Sequence, residues 1–131
     1  CNLPEDLRTQ DTFLLHKKNL EFFKLINDVR SQAETLREMA SIQAEQGNID
    51  NAITLYKQSI VIYENTSNIQ RKAETLTMIG KLLANEKRDI TTALKYLQDS
   101  LAIYQQLHYQ EEVETVRGII TNIEEQKPKS P

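Results

Sequence analysis

The chain has 131 residues, with 16 basic against 19 acidic side chains for a net charge of −3, three glycines, three prolines, no Trp and one cysteine. That balance excludes a broad cationic footprint for nucleic acid, and a single cysteine excludes an internal disulfide. No apolar run reaches the roughly 20 residues that cross a bilayer.

The length fits one domain with its own core, and Leu, Ile, Ala, Glu, Gln and Lys dominate, which favours helix. Residues 1–10 read as a flexible segment before the domain. The first residue is Cys1 and not Met, so a processed product or an excised piece is expected. A bacterial lipoprotein carries an acylated cysteine at its mature N-terminus, and Asn2 to Gln10 would serve as its polar tether. In that case the chain is anchored at a membrane; otherwise the cytoplasm is the expected location.

Six helices follow from apolar spacing and turn signals, over 11–28, 32–46, 49–65, 70–86, 90–107 and 110–126. They fall into two alternating kinds. Ala33-Glu34-Thr35-Leu36 returns as Ala73-Glu74-Thr75-Leu76 and as Val113-Glu114-Thr115-Val116, a period of 40. Leu20-Glu21-Phe22-Phe23 returns as Ile60-Val61-Ile62-Tyr63 and as Leu101-Ala102-Ile103-Tyr104, with one extra residue in the turn between Asn85 and Asp89. Two interleaved motifs sharing one period make a helix pair the repeating unit.

The first kind places apolar residues at i, i+3, i+4 and i+7, as in Leu76, Ile79, Gly80 and Leu83, which is one face of a helix. The second kind runs Ala52, Tyr56, Ser59, Ile60, Tyr63 and Ala93, Leu97, Ser100, Leu101, Tyr104, with small residues that admit a neighbouring helix. Gly47 suits a left-handed helix end, and Asn48, Asp50 and Asp89 are candidate caps. Ala40 and Gly80 are expected at the tightest helix crossings. Residues 127–131 read as a disordered tail.

These residues resemble the tetratricopeptide repeat, whose pattern of large, large and small residues, a turn glycine, then Ala, an aromatic and a small residue is met by Leu36, Met39, Ala40, Gly47, Ala52, Tyr56 and Ser59. Leu76, Ile79, Gly80, Ala93, Leu97 and Ser100 meet it again without the glycine. The unit is longer than the usual 34 residues of that family and is similar to the long units of kinesin light chains and large bacterial repeat proteins. The resemblance implies an all-α, right-handed α-solenoid of antiparallel helix pairs over residues 11–126.

It also implies a function, that of a scaffold or adaptor binding a partner protein or peptide on the concave side, where the first helices face. Carried over, the positions facing that side are Glu34, Arg37, Glu38 and Ser41, then Glu74, Thr77, Met78 and Lys81, then Glu114, Arg117, Gly118 and Thr121. Glu38, Met78 and Gly118 stand where a peptide-gripping Asn is common, so a clamp for a chaperone tail is not expected. Within this set Arg37, Ser41, Met78, Lys81 and Arg117 are the candidate partner-binding residues. A solvated helix face is the plain alternative for all of them.

No catalytic, cofactor or metal site is expected. His16 and His108 lie in different repeats without a ligand partner at helical spacing. The adjacent pairs Glu111-Glu112 and Glu124-Glu125 point in different directions and make no catalytic dyad. Tyr56, Tyr63, Tyr96, Tyr104 and Tyr109 sit mostly at packing positions. The competing readings are a structural or self-associating segment of a larger repeat protein and a membrane-tethered lipoprotein adaptor.

Overall fold

The computed structural model describes the backbone of residues 5–126 and the side chains of residues 10–126. The expectations for Cys1 and for the tail 127–131 fall outside these. Six helices are present: α1 (Glu5–Leu25), α2 (Val29–Glu45), α3 (Ile49–Asn65), α4 (Ile69–Asn85), α5 (Ile90–Leu107) and α6 (Gln110–Glu125). The described residues contain no strand. No helix is long and apolar enough to cross a membrane.

Helices α2 to α6 begin and end within three residues of the expected bounds. The first helix differs more. It starts at Glu5, six residues before the expected start at 11, and its α-helical turns stop at Leu25. The apolar repeat has no copy before residue 11, so periodicity gives no signal there; the residue types themselves are ordinary helix formers.

All five connections use one device, a single residue in the left-handed region: Asn27 (φ 59°), Gly47 (φ 84°), Ser67 (φ 58°), Arg88 (φ 57°) and His108 (φ 62°). Glycine meets this requirement only once. Behind three of these residues the next amide reaches back five positions, Asp28 N to the Phe23 carbonyl, Asn48 N to Gln43 and Tyr109 N to Tyr104, at 2.9, 2.9 and 3.0 Å. That bond satisfies carbonyls the helix end leaves open. The extra residue before Asp89 lengthens the reach, and Asp89 N bonds the Leu83 carbonyl at 2.9 Å.

Caps then start the next helix. Asp28 accepts from the Ser31 amide at 3.1 Å and from the Ser31 hydroxyl at 2.7 Å, and these bonds hold its carboxyl below the ordinary value. Asn68 accepts from Arg71 N and Asp89 from Thr92 N. Asn48 occupies its cap position without a side-chain bond, and Asp50 lies inside the first turn of α3. Of the expected caps, Asp89 alone caps through its side chain.

The chain divides into two compact units, residues 1–67 and 68–131. In the first, α2 packs on both α1 and α3. Leu20, Leu36 and Met39 form a buried cluster, flanked by Phe13, Leu55 and Ile62. In the second, α5 packs on both α4 and α6. Its core holds Ala73, Ala84, Ala93, Leu97, Tyr104, Val113, Val116, Ile120 and Ile123.

Gly80 of α4 packs tightly against Leu97 of α5. A Cβ on Gly80 would stand 2.7 Å from Leu97 Cγ and 3.2 Å from the Ala93 carbonyl oxygen. Ala40, its counterpart in α2, is fully buried. At Gly80 the small residue does mark a close helix contact.

Candidate functional site

The five candidate binding residues are divided between the units. Arg37 and Ser41 project from α2 in the first. Met78 and Lys81 project from α4, and Arg117 from α6, in the second. Each follows from the helical period, since it lies one or two residues from a packed position.

In the first unit, the α2–α3 contact is polar at its edge. Arg37 is half-buried, with 23% of its side chain exposed, and its Nη1 lies 3.7 Å from Glu34 Oε2. The Tyr63 hydroxyl donates to Glu34 Oε1 at 3.1 Å. Burial pushes the Tyr63 hydroxyl up to about 12, against a hydrogen bond from Arg37 that pulls it down, while the Glu34 carboxylate pushes it further up. Tyr56 is also raised by burial, opposed by the Arg37 charge and a hydrogen bond with Ser41. Arg37 and Ser41 are therefore already engaged by the second helix of their own pair. Arg37 is more than a surface charge, and a carboxylate in its place would face Glu34.

Glu38 sits at the outer side of α2, where its Oε2 lies 3.2 Å from His16 Nδ1 on α1. His16 is thus a partly buried bonding residue as well as a packing one.

The second unit repeats the frame with different chemistry. Thr77, at the place of Arg37, meets Ser100 of α5 at 2.6 Å between hydroxyl oxygens. Ser100 is fully buried and bonds the Ala73 carbonyl at 2.9 Å, which Thr77 also reaches at 3.0 Å. Each hydroxyl carries one proton. One of them therefore holds the carbonyl while the other donates across the helix contact. Glu74 is held by Arg71 at 2.9 Å.

Arg117 occupies the same register place again, on α6. Among the described residues no helix follows α6, so Arg117 is exposed where Arg37 and Thr77 are not. Lys81 is exposed and Met78 half-buried. A shallow pocket of about 210 Å³ lies in this unit, lined by Thr77, Tyr104, Glu111, Glu112, Thr115 and Val116. None of the five candidates lines it. Its two carboxylates and its hydroxyls make a surface for polar or basic groups. A second pocket of about 280 Å³, in the first unit, is lined by Gln10, Phe13, Leu14, Gln43 and Gln46. Sequence reasoning missed both, since each depends on which helix edges are left uncovered.

The pairing of helices, the small residue at the crossing and the capped turns agree with a comparison against known families, in which residues 31–106 match the tetratricopeptide repeat. The chain belongs to the tetratricopeptide repeat family. A comparison with curated proteins gives no match. Tetratricopeptide repeats are generally protein–protein interaction modules, and their family is typically one of non-enzymatic scaffolds.

Proposed function

We propose that this tetratricopeptide repeat chain binds a segment of a partner protein on the exposed sides of its first helices, α2, α4 and α6, each unit offering its own surface. The observation that carries this is the exposure of Lys81 one helical turn from the half-buried Met78 on α4, with Arg117 exposed on α6 of the same unit. A cation one turn from an adaptable apolar side chain suits an acidic residue adjacent to an apolar one, and Arg117 adds a second cation in the same unit. The Glu111–Glu112 wall of the neighbouring pocket suits a basic or amide group. A partner segment of mixed charge with an apolar anchor fits both. In the first unit, Ser41 and Arg37 contribute less, because binding there must compete with Tyr56, Tyr63 and Glu34.

The test is a peptide array probed with the purified chain, followed by titration of the strongest binders. Lys81→Glu combined with Arg117→Glu touches no buried position and should weaken binding at least roughly tenfold, and added salt should weaken the unaltered chain's binding. Binding that survives both changes, or an array with no selective binders, overturns the reading.

A further inference from the structure

Helix α1 shows the solvent a face that none of the other helices shows. Leu20 and Phe13 turn towards α2 and join its core. On the other side Leu14, Leu15, Phe22, Leu25 and, just past the helix end, Ile26 are all more than half exposed, Leu25 by 82%. With about 100° of turn per residue, these five fall within an arc of about 120°, with Lys18 near its middle. The outward side of α6 offers a contrast, being made of Glu111, Glu114, Arg117 and Thr121.

The repeat says what kind of position this is. Forty residues on, Leu15 and Phe22 become Leu55 and Ile62, and those two pack beside the Leu36–Met39 cluster of α2. The stripe on α1 thus has the side chains of a helix–helix contact, and among the described residues no helix lies over it.

We propose that this stripe pairs with α1 of a second copy of the chain, antiparallel about a two-fold axis near residues 19 and 20. The order of residues is self-complementary in that arrangement. Leu14 and Leu15 at one end meet Leu25 and Ile26 of the partner subunit at the other. Phe22 lies beside the partner's Lys18, a favourable cation–aromatic contact. Glu21 borders the stripe on one side, 3.8 Å from Lys24 of its own helix, with Lys17 about 40° further round, and the two-fold brings Glu21 within reach of the partner's Lys17 and Lys17 within reach of the partner's Glu21. A parallel pair would instead stack Lys18 on Lys18. The matched zone from Leu14 to Ile26 is about 20 Å long. An interface of that length is at the small end for specific contacts, so the dimer is weak and reversible. The pairing uses none of the residues of the proposed peptide surface, and the two readings stand or fall separately.

Sedimentation equilibrium of the whole chain, from about 5 μM to about 500 μM, is the test, a range suited to a small interface. The weight-average mass should rise from 15.2 kDa towards twice that value. Phe22→Glu should remove the rise while leaving the helical circular dichroism unchanged, since Phe22 is outside the core. Lys17→Glu and Glu21→Lys should each weaken the dimer roughly tenfold, and the two together should restore it. A single monomer mass across the range overturns the proposal, as does a dimer that persists in Phe22→Glu. Failure of the double exchange to restore association overturns the antiparallel register.

Discussion

The Tyr63 hydroxyl donates to Glu34 Oε1 at 3.1 Å, joining the far end of α3 to the first turns of α2 across 29 residues of sequence. Tyr63 is nearly inaccessible, so this bond sits at the boundary between the core of the first unit and the charged edge where Arg37 lies.

The burial of Tyr63, reinforced by the Glu34 carboxylate, makes stability depend on alkaline pH. Tyr63 holds its proton in the folded chain up to about 12, against an ordinary value of 10.0. A raised value means the folded state binds the proton more tightly than the unfolded state does. The contribution is complete below pH 10 and is lost as pH rises towards 12. Thermal melting followed between those limits should show a falling Tm. Tyr63→Phe should flatten the fall, though not abolish it, since Tyr56 is raised as well. An equal slope in the variant would show that Tyr63 is not its source.

Gly80 and Gly118 are both helical glycines, and they should respond to alanine with opposite signs. A Cβ at Gly80 would collide with Leu97, which is fully buried and cannot move aside, whereas nothing lies within 4 Å of a Cβ at Gly118. Gly118→Ala should stabilise by about 0.5–1 kcal/mol through helix propensity. Gly80→Ala should destabilise, and Gly80→Leu should cost about 1–3 kcal/mol through overpacking. Denaturant midpoints decide it; a gain in stability at Gly80 would mean the crossing is wider than described.

The left-handed turn positions should respond to substitution in opposite directions. Gly47 uses it without strain, while Arg88 and His108 hold it with a side chain. Gly47→Ala should cost about 1 kcal/mol. His108→Gly and Arg88→Gly should each gain up to about 1 kcal/mol, the relief of strain being partly offset by a freer unfolded chain. Destabilisation by either glycine would assign those side chains a bonding role that outweighs the backbone.

Much of this fold was legible in the sequence because its information is local. The repeating Leu, Ile and Ala positions mark each helix, Gly47 marks one turn, Asp89 one cap, and Gly80 one crossing. The other four left-handed residues, Asn27, Ser67, Arg88 and His108, carry no glycine to announce them; the geometry is imposed by helices that must turn back on each other. The state of Arg37 was not legible for a different reason. Its burial depends on Tyr63, which arrives from the next helix, and no spacing within α2 contains that fact. The open side of α1 was hidden by its composition. Its outward apolar residues read as a weak copy of the second-helix pattern, and only packing separates Leu20, which is covered, from Phe22, which is not.

Within each unit, every substantial contact joins helices that are neighbours in the chain: α1 with α2, α2 with α3, α4 with α5, and α5 with α6. None of these contacts has to wait for a distant segment to be made. Folding therefore proceeds with little loop-closure entropy, which places such a chain among fast folders. During synthesis, a helix pair can close as soon as its two helices have left the ribosome, because the two are contiguous in the chain. A stalled-ribosome series that lengthens the chain in steps would show protection from protease arriving one pair at a time.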